Sequence, residues 1–311
     1  MNNELGKRIL PNGSTRYIFF GGKGGVGKTT SASATAVWFA DHGYDTTIVS
    51  TDPTVSLSVV FGQEIGGTEK VKIRHVPNLC GMNINPKDAK GHYKKRFDSV
   101  MGQLNSALGE EASQTPCADE MATFDQFVTF LDAPESQVIV FDTAPTGKSL
   151  RELALPFNWA GHLQNQIREG KELAKLMNLN EDSYDSLEKD KARYEHAMSV
   201  LKDREHTMFN LVLLPERLPI EETASAMKGL DGLGISVQSL VINQVIFQKD
   251  IDGNPFLQGR AALQSKFLEE IRQRFPGLLQ TEVPLLAQDV SNIEGLRRVG
   301  ELLFGSEKIP A

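Results

Sequence analysis

The segment RYIFFGGKGGVGKTTSASATAVWFADHG, residues 16–43, constrains this chain more than any other. RYIFFGG is a short apolar run with the character of a buried strand. KTTSASATAVWFADHG carries apolar residues at helical spacing and closes on Gly43, where a helix can stop. Between them, Gly22 to Thr29 spell G-x-x-x-x-G-K-T, a loop that cradles phosphates when a strand precedes it and a helix follows. Gly22, Gly24, Gly25 and Gly27, with Val26, let the backbone turn its N–H groups inward, and the helix start at Lys28, Thr29 and Thr30 adds its positive end. Lys28 is expected to reach the terminal phosphates and Thr29 to hold Mg²⁺. ATP and Mg²⁺ are therefore the expected ligands.

Strands and helices alternate along the rest of the chain. TTIVST, GMNINP, SQVIVFDTAP, TMFNLVLLP, SVQSLVINQ and LQTEVPLL read as strands, with helical segments IEETASAMKGLDGLG and GRAALQSKFLEEIRQRF among them. This alternation predicts an α/β fold of the P-loop NTPase kind, a mostly parallel sheet flanked by helices. Residues 87–134 and 157–203 break the rhythm and look helical throughout. The expectation is one domain, 1–311, with these two insertions forming a helical subdomain.

A net charge of −7 argues against nucleic acid as a partner and against strong attraction to anionic lipid. The first residues lack the apolar core of a signal peptide, and no run of 18 apolar residues occurs, so no direct membrane insertion is expected and the cytoplasm is the expected location. The two cysteines, Cys80 and Cys117, are expected to be thiols.

Two acids complete the candidate nucleotide site. STDP ends the second strand at Asp52, where a carboxylate can orient or deprotonate an attacking water. FDTAPTG ends a strand at Asp142, placed to bind Mg²⁺ directly or through its water shell. A turn or helix-cap role is the bland alternative for each. Gly147 is expected to free the following segment to move. The second loop lysine, Lys23, resembles the deviant P-loop of dimeric ATPases related to the nitrogenase iron protein. That resemblance implies a homodimer in which Lys23 crosses to the partner's phosphates, in the manner of an arginine finger supplied in trans.

GGKGGVGKTT, VSTDP and FDTAPTGKSLRELALP together resemble the family of arsenite-pump ATPases and tail-anchored-protein-targeting ATPases, over nearly the whole chain. The resemblance places Asp52 facing the γ-phosphate, and, through LVINQ and VPLLAQD, places Asn243, Pro284 and Leu285 around the base. It departs at Lys148, where the family has a histidine. The targeting branch carries a Cys-x-x-Cys after the VINQ strand, and this chain has NPFLQGRAA there. PCADEMATFDQF is similar to a cysteine-bearing segment of the arsenite branch, which implies Cys117 as a thiol ligand for As(III) or Sb(III), both of which favour soft sulfur donors. Cys80 sits on an expected strand, where a small buried residue is the plainer reading. The implied activity is ATP hydrolysis in a homodimer that drives arsenite or antimonite extrusion. The implied partners are a membrane efflux permease, at which the protein would sit peripherally, and a metallochaperone that delivers the metalloid. Targeting of tail-anchored membrane proteins is the alternative, and an iron-sulfur reductase component a more distant one.

Overall fold

The computed structural model describes residues 4–52, 56–67, 69–84, 118–132, 134–143, 153, 164–165, 168, 185–251 and 253–305. Packing of the Cα trace divides the chain into two units. One comprises Met1–Asn83, Ser136–Ser149 and Arg204–Ala311, the other Ile84–Glu135 and Leu150–Asp203.

The first unit is built on eight strands: β1 (Arg16–Gly22), β2 (Thr46–Ser50), β3 (Val71–Lys72), β4 (Leu79–Asn83), β5 (Val138–Asp142), β6 (Thr207–Leu213), β7 (Val237–Val245) and β8 (Leu279–Pro284). Their order in the sheet is β3-β4-β2-β5-β1-β6-β7-β8. Every pairing is parallel except β3 with β4. The central strands are buried along their whole length, as expected where both faces are covered. The alternating strand pattern sorts their side chains. Ile18 and Phe20 join the core that contains α2 (Lys28–Asp41), while Phe19 on the opposite face stacks between Phe141 and Phe209 at 4.5 and 4.4 Å.

The expected α/β architecture is the one observed. The strand expected at GMNINP begins two residues earlier, at Leu79. Short helices at Glu4–Arg8 (α1) and Ser56–Phe61 (α3) and the two-residue edge strand β3 were not expected from local pattern. Beyond these, α6 (Arg217–Gly232) and α7 (Pro255–Arg274) connect the later strands. The last helix, α8 (Ile293–Phe304), buries Leu296, Val299, Leu303 and Phe304, with Phe304 4.9 Å from Trp38 of α2. Gly300 permits this approach, because a Cβ there would lie 3.1 Å from the Ala34 carbonyl oxygen and from Trp38 Cβ.

In the second unit, the long helices described are α4 (Ala118–Asp132) and α5 (Asp185–Lys202). They are tied by a polar cluster around the buried Asp125, which accepts from Arg193 Nη1 at 2.6 Å and from the Tyr194 hydroxyl at 3.1 Å. A buried carboxylate at this position requires such partners. Among the described residues, no helix is long and apolar enough to cross a membrane.

Candidate functional site

Parallel pairing brings the carboxyl ends of β2, β5 and β1 together, and ligand sites of open α/β sheets form at such ends. Ser50 and Phe20 flank Asp142 in register on either side. The Thr51 amide donates to the Asp142 carbonyl at 3.0 Å, and the Thr143 amide and hydroxyl donate to the Phe20 carbonyl at 3.2 and 2.9 Å. These bonds hold the mouth of the site in one backbone arrangement.

The phosphate loop leaves β1 at Gly22, whose φ of 146° and closeness to β6 exclude a side chain, since a Cβ would sit 2.3 Å from the Val212 carbonyl oxygen. Gly27 is excluded for a different reason. Its φ is 100°, and a Cβ would lie 2.3 Å from Asn243 Nδ2. Gly24 faces open space, so neither crowding nor a positive φ accounts for it.

Lys28 opens α2 and is buried at 6% exposure, with Nζ donating to the carbonyl of Lys23 at 3.1 Å. Burial lowers its pKa, opposed by the nearby charges of Asp142 and Asp52. Thr29 donates its hydroxyl to Asp142 Oδ2 at 2.8 Å, and Ser50 makes a longer contact with the same oxygen at 3.4 Å. Asp142 is fully buried. Burial pushes its pKa up to about 6 against the lowering effects of the Thr29 hydrogen bond and Lys28. Its second oxygen, Oδ1, is buried with no hydrogen-bond partner.

An ionised carboxylate held dry with one open oxygen, next to a threonine hydroxyl, suits a hard divalent cation with oxygen ligands. Thr29 and Asp142 are the residues that would hold Mg²⁺, which when bound would neutralise charge on transferring phosphates. Asp52 is half-buried at the same mouth, its amide donating to Ser50 Oγ at 3.2 Å. Ser50 thus links Asp52 to Asp142. Sequence reasoning did not single it out, although its place at the strand end in VSTDP was the available signal.

The Lys23 side chain does not fold over its own loop. Its Nζ pairs with Glu222 of α6 at 3.5 Å, with both side chains about a third exposed. On the other flank, Asn243 Nδ2 donates to the Val26 carbonyl at 2.9 Å. Pro284 ends β8 opposite Val245, and the Leu285 amide donates to the Val245 carbonyl at 2.9 Å, leaving its side chain half exposed. Asn243, Pro284 and Leu285 therefore share one end of β7 and β8, beside the phosphate loop. Sequence reasoning also missed Gln264, which holds the β7 end in place. It donates to the Gln244 carbonyl at 3.0 Å and accepts from the Ile246 amide at 2.9 Å.

Cys117, Gly147 and Lys148 lie outside the described residues. Cys80 is half-buried on β4 rather than buried, because its neighbour toward the sheet edge is the two-residue strand β3, where it opposes Lys72. Burial and Asp45 raise its pKa, partly offset by Lys70 and Lys72. Among the described residues, no group of three or more His, Cys, Asp or Glu side chains is placed to hold a metal ion.

The family model described as anion-transporting ATPase matches residues 15–305. This chain belongs to that family. It is 33% identical over 326 residues to the ATPase ASNA1 homolog 2 of Paramecium tetraurelia, with 98% of each chain covered. It is 32% identical to the ATPase GET3 of Chaetomium globosum, over 95% of this chain and 92% of the relative. A Halobacterium salinarum relative, named as an arsenical pump-driving ATPase, is 37% identical over 96% of this chain, and the chain spans only 46% of that relative's length. Membership makes the chain an ATP hydrolase, with ATP as its ligand.

Proposed function

We propose that this chain hydrolyses Mg²⁺·ATP as a closed homodimer and couples turnover to the expulsion of arsenite or antimonite through a membrane permease. The observation that carries the dimer is the direction of Lys23. Its ammonium group is turned out to a partly exposed pair with Glu222, where a pair is weak and readily exchanged for a phosphate. In this reading Lys28, Thr29 and Gly22 to Gly27 hold the phosphates, Thr29 and Asp142 hold Mg²⁺, and Asp52 orients the attacking water. Lys23 enters the partner's site on closure. Asn243, Pro284 and Leu285 border the base.

The metalloid part rests on Cys117 within PCADEMATFDQF, with As(III) or Sb(III) as cargo or effector. A metallochaperone would supply the metalloid. The insertions at 87–134 and 157–203 would form the subdomain that meets this client.

A second reading, ATP-driven targeting of tail-anchored membrane proteins, is supported by the relatives named ASNA1 homolog and GET3, which are 32–33% identical over 95–98% of this chain. ATPase rate measured across protein concentration, with and without arsenite, separates these ideas. A rate per chain that rises with concentration supports the dimer, and a further rise with arsenite supports the metalloid client. A rate indifferent to arsenite, together with ATP-dependent capture of a hydrophobic C-terminal helix, transfers the function to the second reading.

A further inference from the structure

A cavity of about 620 Å³ opens at the amino ends of β1 and β6, lined in part by Lys7, Arg8, Arg16, Arg204, Glu205 and Gln238. The phosphate loop lies at the opposite end of β1, so the seven residues of that strand put roughly 20 Å between the two places. Four cationic side chains meet one carboxylate here, in a chain whose net charge is −7.

The wall is built on Arg16, the first residue of β1, which is only 6% exposed. Its guanidinium donates to the carbonyls of Arg8 and Arg204, each at 3.0 Å, and to that of Glu205. The backbone that carries Arg8 is therefore pinned to the backbone that carries Arg204, although the two are almost 200 positions apart. Their side chains remain outside this framework. Lys7, Arg8 and Arg204 are exposed, and no ion pair among the described residues engages them. Gln238 does not compete for a ligand, since its amide is committed to the Phe209 amide and the Thr207 carbonyl.

We propose that this cavity is a second anion site, for a small ligand bearing two phosphate groups. Its volume is that of a small-molecule pocket. Guanidinium groups carried on separate, pinned backbone segments suit phosphate oxygens, which accept paired N–H donors, and a focused positive field in a negative molecule concentrates such ligands. The same chemistry is offered by a soluble bisphosphate and by an anionic lipid headgroup.

Fructose 1,6-bisphosphate titrated calorimetrically into the full chain, with the nucleotide site saturated by Mg²⁺·ADP, reads the soluble source. Co-sedimentation with cardiolipin-containing vesicles, whose headgroup carries two phosphates, against phosphatidylcholine vesicles, reads the lipid source. Binding in either arm is expected to weaken about tenfold or more in the Arg8→Ala/Arg204→Ala double variant, and to weaken as salt rises. Lys249→Ala, which removes an exposed charge beyond the carboxyl end of β7, at the opposite end of the sheet, should leave it unchanged. Because Arg16 grips the carbonyls and not the side chains of Arg8 and Arg204, the double variant keeps the bonds that hold the wall. Arg16 is left intact for that reason. No binding in either arm overturns the proposal, as does binding that survives the double substitution.

Discussion

Asn243 of β7 and Val26 of the loop after β1 are joined by a hydrogen bond of 2.9 Å from the asparagine amide to the loop carbonyl. Asn243 can make this bond because the strand is irregular at that point. The β7 to β8 register shifts between Ile242 and Val245, and Gln244 adopts a φ of 57°, a left-handed conformation uncommon for a residue other than glycine. Gln264 of α7, 6% exposed, bonds both sides of this irregular turn. The Gln264→Leu variant leaves the Gln244 carbonyl and the Ile246 amide without that partner. Thermal or denaturant unfolding should show a loss of about 1–3 kcal/mol, and ATP binding should weaken with it as Asn243 loses its aim. If the variant binds ATP like the parent while unfolding earlier, Gln264 supports the fold alone.

Lys23→Ala tests the crossing lysine. The variant keeps the backbone carbonyl that receives Lys28, so the loop should still bind ATP with little change. Hydrolysis should fall by roughly a hundredfold or more, the scale expected when a charge that stabilises phosphoryl transfer is withdrawn. Single-turnover hydrolysis beside equilibrium nucleotide binding separates the two effects. Parent-level turnover removes the trans role.

Much of this site is written in short range. The loop between β1 and α2 is legible because glycines, lysine and threonine act within eight consecutive residues, and Asp142 is legible because an acid closes an apolar strand. Ser50 offered only its place at the end of VSTDP, and Gln264 and the left-handed Gln244 were not legible, since each acts only once register or a distant helix supplies its partner. The same holds for β3, which exists by pairing with β4, and for α8, whose apolar face gains meaning only against Trp38 and Ala34. Cys80 was placed on its strand correctly, but its half exposure depends on how short the neighbouring edge strand is.

Asp142→Asn should separate stability from activity. The carboxylate is buried, with one oxygen lacking a hydrogen-bond partner, and that costs free energy whenever it is ionised with no cation against it. A neutral amide of the same shape removes the charge, so the metal-free protein should unfold at a denaturant concentration corresponding to about 1 kcal/mol more stability. The same variant should lose nearly all Mg²⁺-dependent hydrolysis, because a carboxamide is a poor ligand for a hard cation. A metal-free protein that is destabilised by the change would show that the carboxylate already earns its place without Mg²⁺.

The two thiols should part company. Cys80 has its pKa raised by burial and by Asp45, so little of it is thiolate near neutral pH. Reaction with iodoacetamide should therefore be slower at Cys80 than at a free cysteine peptide, and should accelerate as pH rises, since only the thiolate attacks. Cys80→Ser should leave any arsenite effect on ATP turnover as it was. Cys117→Ser, which keeps shape but loses the soft donor, should abolish that effect and spare basal turnover. On the proposed reading the physical link is differential affinity: a metalloid bound across two protomers would favour the closed dimer by as much as it binds that state better, and closure would bring Lys23 to the partner's phosphates. Mass mapping of the labelled cysteines, paired with ATPase assays of both serine variants, decides it. Stimulation that survives Cys117→Ser and disappears with Cys80→Ser would move the metalloid to the sheet edge and overturn this assignment.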